Sequence, residues 1–306
     1  MDARIIDIPR IYDRRGSLSF IQNGDIAFDI ARSYWIYDMP PEGERYGRAL
    51  QTTSEIIIPL SGSFDVTISD TEGHRKKFSL FRPWQGLLVP PMHWRVIDHI
   101  AGGSRALVVS SRLYAEGDYI RDRKVFRKHV PEIIPDPAYV PVTRTDSCNK
   151  CHGKCTVEDA RIIVLDRHPG NMGSLAVLEN TESAPFDIKR VFYIYDVPTD
   201  AHRGGHSHFR MQELIVALAG SFDVEVRDGR VGRTFTLSRP NEALYVPCGL
   251  WRSLANFSSG ALCLAFASEL YDEKDYVRSF EEFRILSGVA HPFETLDYFN
   301  KLKKRF

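Results

Sequence analysis

The chain has 306 residues, 43% of them hydrophobic and 26% charged, a balance that suits two ordinary folded domains and excludes a disordered chain. Its 40 basic and 40 acidic residues cancel, so no global field draws it to nucleic acid or to an anionic membrane, and an anionic ligand must be held by local arginines. Met1-Asp2-Ala3-Arg4 is not a basic-then-apolar leader, and no apolar run approaches the ~18 residues of a membrane helix; a cytoplasmic location is expected. Three of the five cysteines, Cys148, Cys151 and Cys155, crowd one segment instead of forming a spaced disulfide framework, which fits a reduced compartment.

In chain order, the first elements return later with a period of about 157 residues. Asp2-Ala3-Arg4-Ile5-Ile6 recurs as Asp159-Ala160-Arg161-Ile162-Ile163, and Gly16-Ser17-Leu18 as Gly173-Ser174-Leu175. After a one-residue insertion Ile36-Tyr37-Asp38 recurs as Ile194-Tyr195-Asp196, and Gly62-Ser63-Phe64-Asp65-Val66 as Gly220-Ser221-Phe222-Asp223-Val224. Trp94-Arg95 matches Trp251-Arg252, and Asp118-Tyr119 matches Asp275-Tyr276. A period this long is a duplicated domain, not a solenoid unit.

Within each copy, β-rich runs such as Ser54 to Leu60 and Phe64 to Ile68 are punctuated by Gly, Pro, Asn and Asp, the spacing of a sandwich or barrel. Leu218 to Val224 reads as strand, glycine turn, strand, and helical pattern is expected only late, over Ala115 to Arg127 and Asp272 to Leu286. The expected organisation is all-β: a domain over 1–128, a proline- and cysteine-bearing connector over 129–158, and a domain with a helical tail over 159–306.

The second copy carries His206-Ser207-His208, then Glu213 and Gly220, which matches the first cupin motif, H-x-H-x4-E-x6-G. On a strand both histidines point to one face, whereas Glu213 has the opposite parity, so Phe209 to Gln212 must contain a bend or bulge. Satisfied interior histidines are the competing explanation. Cupins often hold a transition metal here, completed by a histidine in P-x-G-x2-H-x3-N, but Pro247 to Asn256 puts Arg252 at that place. A guanidinium has no lone pair to donate and repels a cation, so no metal cofactor is expected and the imidazoles are left for acid–base work.

Tyr193-Ile194-Tyr195-Asp196-Val197-Pro198, Arg203 to His208, Arg239-Pro240-Asn241 and Ser268 to Asp272 make the chain resemble the cupin-type, WxcM-like sugar 3,4-ketoisomerases of dTDP-4-keto-6-deoxy-glucose, over both copies. The resemblance implies tandem cupin (double-stranded β-helix, jelly-roll) barrels, metal-free catalysis, an active H-x-H pair, a tyrosine in Y-x-Y-D, an arginine in D-x-R-G-S-L, and dimers that exchange N-terminal strands. It implies catalytic His206, His208, Tyr195 and Arg15, with Glu213, Arg252, Arg239 and Tyr193 binding a dTDP-linked 4-keto-6-deoxy sugar for deoxysugar or polysaccharide formation. A 3,5-epimerase and a non-catalytic sugar-binding cupin are the alternatives.

The copies depart from the pattern in different places. The first has Arg48-Ala49-Leu50 where the histidines belong but keeps Arg15, and Glu55 and Arg95 repeat Glu213 and Arg252; the second has Met172 where the arginine belongs. This complementarity suggests one complete site in an intramolecular, strand-exchanged pseudo-dimer. In the connector, Cys148-Asn149-Lys150-Cys151-His152 and Cys155 are candidates for a metal knot, reduced thiols being the alternative.

Overall fold

The computed structural model describes residues 2–41, 43, 45–128, 152–180 and 183–289. Strands dominate, as expected, and form four antiparallel sheets, two of seven strands and two of five. Of the described residues, those within Met1–Ile11, Leu18–Thr143 and Leu165–Phe192 form one compact unit, and those within Tyr12–Ser17, Arg144–Val164 and Tyr193–Phe306 form the other. The units therefore do not follow the repeat boundaries expected from sequence.

The reason is strand pairing. In the first unit the seven-stranded sheet runs Arg4–Asp7, Gln85–Val89, Glu55–Ser61, Arg105–Ser110, Arg32–Tyr37, Ser174–Glu179 and Arg167–His168. The last two strands come from the second repeat, and Ser174–Glu179 lies antiparallel to Arg32–Tyr37 with Ala176 opposite Trp35. Its Leu175 and Val177 pack on a core that includes Ile57, Phe64, Val66, Leu87 and Val108. Burial of a continuous β-branched and apolar run explains the central Glu55–Ser61 strand; Pro59, which cannot donate to the ladder, sits beside a register shift.

In the second unit the five-stranded sheet runs Gly232–Leu237, Phe222–Arg227, Trp251–Ala255, Arg203–His208 and Tyr276–Val277. Phe222–Arg227 alternates buried and half-buried residues, the pattern of a strand with one face on a core. The strand, glycine turn and strand expected over Leu218 to Val224 are present, and Gly220 is needed there: its φ is +61°, and a Cβ would lie 2.4 Å from Ser258 Oγ.

The late helical runs are shorter than expected. Each is a 3₁₀ turn, a two-residue strand and one short helix: Glu116–Asp118, Tyr119–Ile120 and Arg123–Lys128, then Glu273–Asp275, Tyr276–Val277 and Phe280–Leu286. The run breaks because Tyr276–Val277 pairs with Ser207 and His208, and edge pairing there outweighs the weak helix preference of so short a segment.

Asn180 ties the second-repeat segment into the first unit. Its Nδ2 donates to Ile30 O at 2.9 Å, its backbone N–H donates to Ala31 O, and its Oδ1 accepts from Ile188 N at 2.8 Å. The residue is buried, so Asn180→Ala leaves a buried carbonyl and a buried N–H without their partner. A loss of about 2–6 kcal/mol in denaturant unfolding is expected, at about 1–3 kcal/mol for each of the two unsatisfied groups; a change under about 0.5 kcal/mol would contradict this role.

Candidate active site

The strand Arg203–His208 is held between Trp251–Ala255, where His206 is opposite Arg252, and Tyr276–Val277, where His208 is opposite Tyr276. The period of two sends both imidazoles to one face, with ring centroids 4.8 Å apart in an edge-to-face arrangement. The Tyr276 ring packs on both, 5.0 Å from His206 and 4.3 Å from His208. His208 is buried while His206 is partly buried. His208 Nδ1 lies 3.4 Å from Asp275 Oδ2 and its Nε2 3.9 Å from Glu213 Oε1. Burial pushes the His208 pKa below the ordinary imidazole value against the opposing pull of Asp275, so the ring stays neutral and able to accept a proton near neutral pH.

The expected bend occurs over Phe209–Gln212, where the chain leaves the five-stranded sheet and begins Glu213–Ala219 in the seven-stranded one. Glu213 thereby reaches the histidine side, and Arg252 grips it: Nε donates to Oε2 and Nη2 to Oε1, each at 2.7 Å. Arg252 Nη1 donates to Gly204 O at 3.0 Å. Gly204 stands at a register shift with φ +68°, and a Cβ on it would lie 2.0 Å from Arg252 Nη1; a side chain there would drive the guanidinium off. His206, His208 and Glu213 offer donor atoms within 4.8 Å of one another. Both Glu213 oxygens are nevertheless engaged by the guanidinium, whose positive charge sits beside the three donors. A divalent ion fits this donor set poorly.

Other expected site residues lie elsewhere. Tyr193 and Tyr195 are buried with rings stacked 5.9 Å apart. Phe192 and Ile194 alternate with them, and the matching Tyr34 and Ile36 line the cavity of the first unit. By the same register the two tyrosines face away from the second barrel's interior. Arg239 is exposed and ion-paired with Glu242 at 2.8 Å, in the turn before Glu242–Val246; nothing brings it to the histidines. Arg15 belongs to the compact unit of the histidines, and its carbonyl accepts from Arg203 Nη1 at 2.6 Å. Its guanidinium, 55% exposed, turns back onto Asp13 at 2.6 Å. Cys148 and Cys151 lie outside the described residues, whereas Cys155 is buried.

Sequence reading did not assign Asp275, Tyr276 or Arg203 to the site, and considered His152 only with the connector cysteines. The recurrence of Asp-Tyr in both copies was the signal for the first two. Arg203, buried, spans from Arg15 O to within 3.7 Å of Asp13. His152 lies behind the histidine strand, its Nε2 2.8 Å from Ser207 Oγ and its ring packed on Phe209 and Phe283 at 4.9 and 5.7 Å. The first unit keeps the buried ion pair as Arg95–Glu55.

The sequence profile of the WxcM-like, C-terminal family (FdtA) matches residues 1–131 and again residues 158–287. The chain belongs to this family. It is 38% identical over 124 residues to a TDP-4-oxo-6-deoxy-alpha-D-glucose-3,4-oxoisomerase of Aneurinibacillus thermoaerophilus, covering 40% of this chain and 89% of that one. Among solved structures, a 3,4-ketoisomerase from Helicobacter canadensis is 38% identical, covering 42% of this chain and 98% of that one with a TM-score of 0.42. The WlaRB TDP-quinovose 3,4-ketoisomerase from Campylobacter jejuni has the same identity and coverage with a TM-score of 0.41. The chain is thus a WxcM-like isomerase in which the family domain occurs twice. No helix among the described residues is long and apolar enough to cross a membrane.

His152 makes the site unit sensitive to acid. Burial first, and then the charge of His208, lower its pKa from 6.5 to about 4. Between those values the unfolded chain binds the proton and the folded chain resists it, so stability falls as pH drops from about 6.5 and the loss is complete below about 4. The contribution should reach about 2 kcal/mol by about pH 5. Urea unfolding at neutral and mildly acidic pH should show that difference shrinking in His152→Gln relative to the parent chain; equal pH dependence in both would refute it.

Proposed function

We propose that the chain converts a dTDP-linked 4-keto-6-deoxy-hexose to its 3-keto isomer in the second unit, by histidine acid–base catalysis without a metal. The observation that carries this reading is the pair of adjacent imidazoles, one buried and anchored by Asp275, beside a carboxylate neutralised by Arg252. The named activity of the relatives supports the substrate class.

The C4 ketone acidifies the C3–H bond. His206, the less buried imidazole, takes that proton, and the bonding pair becomes the C3=C4 bond of an enediolate whose negative charge rests on O4. The proton returns to C4, His208 carries the O3 proton to O4, and the C3 carbonyl forms. Carbon and oxygen each exchange one proton, and no electron leaves the sugar. Arg252 fixes Glu213 through both of its oxygens, and Tyr276 restricts both rings. Arg15, released from Asp13, supplies charge to the diphosphate or enediolate. The pairing of Ser174–Glu179 with Arg32–Tyr37, and the grouping of Tyr12–Ser17 with the histidine unit, support reading the chain as a fused, strand-exchanged pair.

Turnover of dTDP-4-keto-6-deoxy-glucose in D₂O, followed by NMR, should place deuterium at C4 of a 3-keto product. Deuterium at C5 would favour a 3,5-epimerase, and binding without turnover a sugar-binding module. His206→Asn and His208→Asn should each lower kcat by about 10²–10⁴-fold while the chain stays folded, the usual range for loss of an acid–base group. The variant that still exchanges the substrate's C3 proton marks the residue that handles oxygen; retention of full activity in both would end the proposal.

Exhaustive chelation should leave kcat unchanged, because Arg252 occupies both oxygens of the carboxylate a metal would need. Activity lost with a stoichiometric metal and restored on its return would overturn the acid–base assignment.

A further inference from the structure

The barrel that lacks the H-x-H pair has not closed up, and its one cavity-lining imidazole among the described residues, His168, stands on the outer cavity away from the H-x-H places. Within the first unit a cavity of about 300 Å³ is lined by Arg48, Arg95 and Arg121 with Ile36, Ile57 and Met172 among its apolar walls. A second cavity of about 490 Å³ shares Tyr34, Arg48 and Arg121 with it and is faced by Tyr114 and Tyr119. Both volumes lie in the range of small-molecule sites.

Around these cavities four arginines meet four carboxylates, but among the described residues only arginines bring charge to the wall of the inner one. Arg32 and Arg95 are buried, and Arg48 donates to Tyr34 Oη at 3.0 Å while Tyr34 donates to Glu55 Oε1 at 2.9 Å. Arg95 pairs with Glu55, and Arg32 stands 3.8 Å from Glu55 and 3.7 Å from Glu179. Three guanidinium groups thus share one fully buried carboxylate and one at the edge. Arg121 at the rim pairs with Glu116, and Asp166 lines only the outer cavity. Among the described residues the inner cavity is faced by three arginines and no acid. Clustered buried cations are costly unless an anion joins them.

The outer cavity adds the second half of a ligand. Tyr114 and Tyr119 present rings with centroids 5.3 Å apart, and Arg48 and Arg121 lie over the Tyr119 ring at 5.5 and 4.8 Å. Flat aromatic faces beside forked cations suit a planar base joined to phosphoryl groups. We propose that the first unit binds a nucleoside diphosphate without reacting with it, the diphosphate on Arg48 and Arg121 at the junction of the cavities and the base against Tyr114 and Tyr119. No imidazole takes the places of His206 and His208, where Arg48 and Leu50 stand, so the occupant is held and not turned over. The proposal does not depend on the reaction assigned to the second unit.

Calorimetric titration of the full chain with thymidine diphosphate tests it. One site should weaken at least tenfold in Arg48→Gln, while turnover at saturating sugar nucleotide is unchanged. Arg121→Gln, at an exposed side chain that folding does not need, should weaken the same site in the same direction. Unaltered titrations in both variants would overturn the proposal. Loss of turnover together with the site would overturn it as well, since the site would then be the catalytic one. Inorganic pyrophosphate should bind this site more weakly than thymidine diphosphate, and equal affinity would remove the nucleoside from the assignment.

Discussion

A guanidinium inside a β-barrel needs partners for its charge, and a carboxylate on its fork supplies them most fully. Each repeat meets this constraint in the same way, with Arg95 on Glu55 and Arg252 on Glu213. Desolvating either ion alone costs several kcal/mol, so removing one partner exposes the other to that full penalty. The pair fixes more than charge. Because Arg252 holds both oxygens of Glu213 and the carbonyl of Gly204, it joins the start of the histidine strand to the strand that follows it. The imidazoles are held between those ends. Gly204 is the backbone price of that arrangement, its positive φ and missing Cβ leaving room for Nη1.

The repeat, the H-x-H pair and the arginine at the last cupin position were legible because each depends on residue type at fixed spacing. Strand periodicity placed His206 and His208 together, and opposite parity called for the bend that delivers Glu213. What escaped was set by tertiary pairing. Asp275 and Tyr276 sit in a run whose local pattern suggests helix, and only pairing with Ser207–His208 turns Tyr276 onto the imidazoles. Tyr193 and Tyr195 were assigned by motif, but a motif does not state which face of a strand looks into the barrel. Arg239 was assigned the same way, and a turn puts it on the surface. His152 was read with the connector cysteines, of which Cys148 and Cys151 lie outside the described residues; its contacts with Ser207, Phe209 and Phe283 depend on tertiary packing that spacing does not reveal.

The compact units differ from the repeats for a related reason. A repeat in sequence marks what was duplicated; it does not say which copy's strand completes which sheet. Ser174–Glu179 matches Arg32–Tyr37 in length and places its alternate residues, Leu175 and Val177, on the core of the first unit. Register of this kind follows from which face is apolar, and two edge strands with the same apolar face are indistinguishable until the fold chooses between them.

The two barrels keep a common polar framework around different side chains. In the second unit Asp275 accepts from the backbone N–H groups of Arg210 and Met211, at 2.8 and 3.1 Å, and faces His208. The matching Asp118 has Leu50 in place of that histidine, and a buried carboxylate with a missing partner is expensive. It is instead satisfied by Thr52 and Thr53, which occupy the places of Arg210 and Met211: Thr52 donates from its backbone N–H and Oγ1, each at 2.7 Å, and Thr53 from Oγ1 at 2.5 Å. Arg48 likewise lies over the Tyr119 ring as His206 packs on Tyr276. A barrel that had merely decayed would show unpartnered polar groups at these places. Under the two proposals above, Thr52 and Thr53 on the aspartate and Arg48 at the place of His206 would trade proton transfer for anion attraction within matching strands.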